Sequence, residues 1–317
     1  MRRRTPTGRS ATAARTGTAE TTAPTARVHG AERHVVLGLY RSDHRRQQLE
    51  AALTAGIRAL DTASNYRDFA AHRILASEAA DLLSEFTVST KVGFFRAAGG
   101  VEHSLDPGRL RRAVAEAVDE LGRVPDVVLL HSPERSLSGD LAADYDRFAA
   151  ACAVLADAVA AGLCGSWGIS CWDSRPLARL LTAGEGLGAS PRPDVLMVRS
   201  GLAVGADGLD AAEQAAALLG VPPAGRWGMS PFAGDAANPA WQRINPGAFL
   251  RPGQQAATLP AVFRLAFELP QVARVAVGST SSAHLRALAT ATELDVDAAQ
   301  IARYRQLLAG RLRPEAP

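Results

Sequence analysis

Short apolar runs alternate with stretches of helical spacing along almost the whole chain. That alternation limits the fold more than any single motif does. Val35–Tyr40, Ile57–Leu60, Phe86–Thr90, Val127–Leu130, Ser166–Ser170, Val195–Val198, Trp227–Met229 and Val275–Val277 read as eight buried strands. Helical stretches follow at Ser42–Ala55, Phe69–Leu83, Pro107–Leu121, Leu141–Ala161, Arg175–Ala183, Asp210–Leu219, Leu259–Leu269 and Ser282–Thr292, with a terminal helix at Val296–Arg311. Asp106 and Pro107 give the third helix a capping side chain and a first-turn proline. Gly162 reads as the stop of the long alanine-rich helix. Strands alternating with helices predict a parallel sheet. Eight of them favour closure into a barrel over an open sheet, and no GxGxxG follows the first strand to support an open dinucleotide fold.

Composition narrows the function classes. The chain has 317 residues and a formal charge of +3. Six Arg and one acid fall in Met1–Arg27, so the rest is slightly acidic, which argues against nucleic acid as the main partner. Residues 1–30 are rich in Thr, Ala and Arg with no periodic apolar face, and are expected to form a disordered tail. Its Arg-rich, acid-poor make-up also resembles an organelle transit peptide. One globular domain is expected over residues 31–317. No run of 18 apolar residues and no secretory apolar segment is present, so no membrane partner is expected. Cys152, Cys164 and Cys171 lack CxxC spacing, which argues against a disulfide framework or a metal site and for a cytoplasmic setting.

Three strand ends carry titratable groups. In Gly56–Tyr66, GIRALDTASNY, Asp61 stands where the second strand runs out and Tyr66 follows in a small-polar loop. In Phe86–Phe95, FTVSTKVGFF, Lys91 is the one lysine of a chain with 34 arginines. Lysine is a compact point charge whose pKa responds to burial, whereas arginine is a broad, permanently charged fork. A chain that otherwise uses arginine therefore points to a need for an ammonium here. His131 ends Val127–His131, VVLLH. Parallel barrels place their chemistry at such strand ends. Taken one at a time, the bland alternatives are a capping Asp, a loop Tyr, a snorkelling Lys and a structural His.

In this order, GIRALDTASNY, VSTKVG, DVVLLHSPE, SWGISCW and VAVGSTSSAHLRAL resemble five segments of the aldo-keto reductase superfamily, over roughly Val35 to Leu308. The resemblance implies a (β/α)8 TIM barrel and reduction of an aldehyde or ketone to an alcohol, or the reverse, with NADP or NAD, NADP being the family's preference. It implies Tyr66 as general acid, Lys91 tuning it, Asp61 holding Lys91 charged, and His131 on the substrate oxygen. A nearby ammonium is expected to lower the phenol pKa from its usual value of about 10.

The cofactor would meet Ser170, Cys171, Met197, Met229 and Ser230 after strands five to seven, and Gly278, Ser279, Thr280 and His284 after strand eight. Several of these depart from the family. Cys171 stands for an Asn, Met197 for a Gln, Met229 for the aromatic residue that stacks on the ring, and His284 for an Arg on the 2'-phosphate. Tyr40, Arg41, Phe94 and Trp172 are expected to line the pocket for a small carbonyl or alcohol substrate. The thinned clamp keeps open an alternative: a barrel of this type with a non-redox or ligand- or cofactor-sensing role.

Overall fold

The computed structural model describes residues 32–184, 186–188 and 190–311, so the expectation for residues 1–30 lies outside them. Eight parallel strands close into a barrel. They are β1 (His34–Gly38), β2 (Ala59–Asp61), β3 (Thr87–Val92), β4 (Val127–His131), β5 (Ser166–Cys171), β6 (Val195–Arg199), β7 (Arg226–Met229) and β8 (Arg274–Val277). Each pairs with its neighbour in sequence, and β1 closes the ring on β8 with His34 opposite Arg274. The helices between them are α1 (Arg46–Thr54), α2 (Ala71–Ala79), α3 (Pro107–Leu121), α4 (Leu141–Ala160), α5 (Ser174–Ala183), α6 (Ala206–Leu219), α7 (Thr258–Leu265) and α8 (Ser282–Ala291). A last helix, α9 (Ala298–Arg311), follows. The (β/α)8 TIM barrel expected from the sequence is the fold observed. Among the described residues no helix is long and apolar enough to cross a membrane.

Helix starts obey local chemistry. Asp106 accepts a hydrogen bond from the Arg109 amide at 2.8 Å and caps α3, as its sequence predicts. Gly162 takes φ 71° just after α4, the left-handed turn that ends a helix at low cost for glycine. Other boundaries move. The first helix begins at Arg46, because Ser42 and His44 build a tight turn in which the Ser42 hydroxyl accepts from the His44 amide at 2.9 Å. The expected Phe69–Leu83 helix is split into a short turn (Tyr66–Phe69), α2 and a 3-10 segment (Ala80–Glu85).

A further element was not foreseen. After β3 the chain forms an antiparallel hairpin, Phe94–Ala97 with Gly100–His103, laid beside the barrel mouth. Gly93 makes the exit possible. It sits at φ 137°, and a Cβ there would come within 3.1 Å of His103 Nε2 and 3.2 Å of the His131 carbonyl.

Strand residues alternate between the two faces of the barrel wall. Trp167, Ile169 and Cys171 of β5 pack outward with Val128, Leu130, Leu196 and Val198 against the helical layer. Val36, Ala59, Val127, Leu129, Val195, Met197, Trp227 and Ala276 fill the interior. The same parity turns Asp61, Lys91, His131, Ser170 and Arg199 toward the interior, one layer nearer the C-terminal mouth. Gly168 is the inward residue of β5 below Ser170. A Cβ on it would stand 2.3 Å from the Val195 carbonyl oxygen and 2.8 Å from Leu129 Cδ2. Gly168→Ala is therefore expected to destabilise the fold by about 1–3 kcal/mol through overpacking. The check is a lower urea midpoint at unchanged slope; an unmoved midpoint would mean that β5 and β6 are not this close.

Candidate active site

The strand parity gathers Asp61, Lys91 and His131, and the loop after β2 adds Tyr66. Lys91 Nζ lies 2.5 Å from Asp61 Oδ2, donates to the Thr62 carbonyl at 2.8 Å and reaches the Tyr66 hydroxyl at 3.4 Å. Asp61 Oδ1 accepts from the Ser89 hydroxyl at 2.9 Å. The Lys91 and Asp61 side chains are 2% and 7% exposed. Lys91 Nζ stands 5.2 Å from the centre of the Tyr66 ring, and the Tyr66 and His131 rings meet edge to face at 6.1 Å. All four side chains named from the sequence thus form one contiguous cluster.

The cluster's electrostatics correct one expectation. Tyr66 is raised above the usual tyrosine pKa: burial disfavours the phenolate, and the opposing pull of Lys91 does not overcome it. Lys91 acts in the expected direction, but it offsets desolvation rather than producing a net drop. Burial pulls the Lys91 pKa down, yet Asp61 and then Tyr66 outweigh it, so the ammonium is held charged. Burial, reinforced by Lys91, puts His131 well below the usual imidazole range, so it is neutral at pH 7.

The hairpin supports this histidine. His103 Nε2 lies 2.7 Å from the His131 carbonyl, which can only accept, so that nitrogen carries the proton. Ser136 Oγ sits 2.7 Å from the other His103 nitrogen. Phe94 packs edge to face on both His103 and His131, at 4.9 and 4.8 Å. Phe94 thus packs against the cluster, and His103 joins it unforeseen.

The remaining predicted residues fall into two groups. Ser170, Met197 and Met229 stand on the inner face of successive strands, with Ser170 paired to His131 and Met197. Ser230 follows β7 at φ 57°. Gly278, Ser279 and Thr280 lead from β8 into α8, where Ser281 accepts from the His284 amide at 3.3 Å. The Tyr40 ring meets the Tyr66 ring at 5.2 Å, tilted by 60°, and Tyr40 is 64% exposed at the rim.

Cys171 falls outside this group. Odd positions of β5 face the helices, so its thiol is buried in the outer layer and bonded to Glu134 Oε2 at 3.3 Å and the Asp173 carbonyl at 3.1 Å. The sequence alignment carried it to the cofactor face; the alternation of the strand turns it away. Arg41 donates to the Gly234 carbonyl at 3.0 Å, tying the loop after β1 to the loop after β7 across the end of β8. Trp172 is half exposed and lies under the Arg199 guanidinium at 5.0 Å. Arg199 was not singled out by sequence, since one more arginine among 34 carries no signal.

Among the described residues, four buried side-chain polar atoms make no hydrogen bond: Asn65 Oδ1, His131 Nδ1, Ser200 Oγ and Ser230 Oγ. Each ends or follows a barrel strand, but the Ser200 hydroxyl faces the outer layer beside Gly228. Buried polar groups are normally paired, so the unpaired His131 and Ser230 atoms at the strand ends are suited to a polar ligand. No group of three or more His, Cys, Asp or Glu among the described residues could hold a metal.

A sequence profile of the Aldo/keto reductase family matches residues 36–189. This chain belongs to that superfamily. The match spans β1 to α5 and so contains all four clustered side chains.

Solved aldo-keto reductases share the fold at low identity. One from Bacillus halodurans, in its holo form, is 17% identical with a TM-score of 0.64, covering 88% of this chain and 96% of that one. One from Klebsiella pneumoniae, in complex with NADPH, is 17% identical with a TM-score of 0.60, covering 89% and 92%. One from Brucella melitensis is 15% identical with a TM-score of 0.60, covering 86% and 94%. A comparison with curated proteins gives no match.

Within this aldo-keto reductase fold the Asp61–Lys91 pair is buried on both sides and so costly to leave half made. Removing one partner of a buried ion pair strands the other charge. Lys91→Met is expected to cost about 3–5 kcal/mol of stability, and adding Asp61→Asn should return much of it. Urea denaturation of the two variants checks this; a Lys91→Met protein as stable as the wild type would mean that the pair is solvated.

Proposed function

We propose that the barrel mouth reduces an aldehyde or ketone to an alcohol, or runs the reverse, with NADPH or NADH. The observation that carries this reading is the buried Asp61–Lys91–Tyr66 chain of contacts beside a neutral His131. Reduction needs a proton for the carbonyl oxygen, and Tyr66 holds one at a hydroxyl whose ionised form is stabilised by Lys91. Asp61 keeps Lys91 charged and aimed. His131, neutral and with Nδ1 unpaired, is suited to accept from or donate to the substrate oxygen and so to orient it, while the charge stays on Lys91. Phe94 and Tyr40 shield the rings from water and favour a substrate with an apolar or aromatic body.

The residues at the mouth fit a nicotinamide dinucleotide, though with fewer polar contacts than the family resemblance implies. Ser170 on the inner face and the unpaired Ser230 hydroxyl would meet the nicotinamide end, and Gly278–Ser282 at the start of α8 would meet a phosphate. Met197 and Met229 offer only weak thioether acceptors, and Cys171 faces away. When bound, the nicotinamide supplies the hydride. The chemistry supplied by this chain is the proton, its placement and the exclusion of water.

In the Klebsiella protein the bound cofactor is NADPH; for this chain NADP is favoured by family likeness, and the exposed His284 stands where that likeness places an arginine, with exposed Arg286 further along the same helix. The substrate class left open here is any carbonyl or alcohol small enough for the mouth.

Tyr66→Phe is expected to lower carbonyl reduction by about 10²–10⁴-fold, the usual worth of general acid catalysis. NADPH binding, followed by calorimetry, should persist in the variant. Near-wild-type turnover in Tyr66→Phe would remove Tyr66 as donor. A wild-type chain that binds neither NADPH nor NADH at millimolar concentration would favour the non-redox alternative.

A further inference from the structure

The outer rim of the mouth carries guanidinium groups laid on aromatic rings. Arg199 lies over Trp172 at 5.0 Å, and Arg135 over Phe94 at 5.5 Å. Arg199 is the last residue of β6 on the inner face. It is paired with Met229 and stands one inward step above Met197. It is half buried, and Trp172 beside it is half exposed. Among the described residues neither the Arg135 nor the Arg199 side chain makes an ion pair or hydrogen bond; Arg135 also lies close enough to His103 and His131 to lower their pKa values.

This lack of pairing is built in, since the carboxylates adjacent in sequence are committed elsewhere. Glu134 accepts from the Trp172 amide at 2.8 Å, the Asp173 amide at 3.2 Å and the Cys171 thiol at 3.3 Å. Asp173 is held by Arg175 Nε and Nη2, each at 2.8 Å. Those contacts lock the loops after β4 and β5 together and leave neither carboxylate to pair with Arg135 or Arg199. Among the described residues, Arg264 is paired with Glu268 and Arg305 with Asp210 and Glu213, whereas Arg274, stacked on Trp227 at 5.2 Å, has no ion pair.

We propose that Arg199, stacked on Trp172, is a subsite for an oxyanion on the substrate, so that the preferred substrates are aldehydes or ketones bearing a carboxylate or phosphate away from the carbonyl. The planar guanidinium matches such a group with two parallel hydrogen bonds, and stacking on an indole fixes its plane. The proposal rests on the reading of the mouth as a carbonyl-reducing site, with the reacting oxygen at Tyr66 and His131 and the anionic end at the β5–β6 rim. It assigns Arg199 a part in specificity, not in the chemical step.

The experiment compares 4-carboxybenzaldehyde with its neutral methyl ester, methyl 4-formylbenzoate. Each is titrated by calorimetry into the wild type, Arg199→Gln and Arg199→Lys, and each is then assayed for NADPH-dependent reduction. A charge-assisted contact predicts that the wild type binds the acid about tenfold or more tighter than the ester. Arg199→Gln should abolish that ratio, and Arg199→Lys should keep part of it.

Should Arg199→Gln not fold, salt decides: the acid's Kd in the wild type rises between 50 and 500 mM NaCl while the ester's does not, with the concentrations set roughly by the screening length. Equal affinity for acid and ester in the wild type, with both reduced, overturns the subsite and leaves the carbonyl reading standing. Preference for the acid with neither compound reduced supports the subsite and counts against the carbonyl reading. An Arg199→Gln protein that keeps the acid preference but binds NADPH and NADH more weakly overturns the proposal, because Arg199 would then serve the cofactor.

Discussion

An ammonium and a carboxylate lie side by side at the mouth of the barrel, both almost out of reach of water. Taking two such charges from solvent costs several kcal/mol each, and their attraction repays that only when the remaining valences are also satisfied. Here they are: Lys91 reaches Thr62 and Tyr66 as well as Asp61, and Asp61 takes a second bond from Ser89. The strands β2 and β3 that carry the pair are neighbours in the barrel, with Asp61 opposite Ser89. The register of these two strands is thereby tied to the electrostatics of the site. A slip of either strand by one residue would turn its charge into the apolar layer outside the wall and strand the other. Everything else at the mouth is arranged around a positive point that Asp61 keeps in place: a phenol above its usual pKa, a neutral imidazole, and a hairpin that holds the imidazole's backbone.

The strand–helix alternation and the three strand-end groups were legible in the sequence because each rests on a strong local signal. Eight apolar runs between helices leave few architectures, and one lysine among so many arginines stands out by contrast. Other features lacked such a signal. The hairpin at Phe94–His103 lies in FFRAAGGVEH, where Gly99-Gly100 is a turn signal but the flanking residues lack clean alternation. Arg199 is lost among the arginines.

Cys171 shows a different limit. Its place in the aligned motif pointed to the cofactor, yet the two-residue period of β5 sends its side chain to the helices, where Glu134 and the Asp173 carbonyl hold it. Likewise the sign of the Tyr66 shift could not be read from the presence of Lys91. It depends on how completely the phenol is buried, a tertiary quantity.

The same physics makes the mouth selective. Its floor is apolar, its reactive groups are paired with one another, and the polar atoms left unpaired lie at the strand ends. A ligand that supplies hydrogen bonds there recovers an existing cost of burial rather than adding a new one. The methionines on the inner face place fewer demands on the nicotinamide end than polar side chains would, which shifts the burden of recognition toward the start of α8 and the rim.

The central claim is that the proton comes from Tyr66 and not from His131. The most direct measurement is the pH dependence of kcat/KM for carbonyl reduction at saturating NADPH, which reports the acid that must be protonated. His131 is held well below the usual imidazole range and Tyr66 above the usual phenol value of about 10. A Tyr66 donor therefore predicts activity that is sustained from neutral pH upward and is lost only as pH rises through the tyrosine range. Activity confined to acid and already falling below about pH 6, the region below an ordinary imidazole, would make His131 the donor and contradict the account.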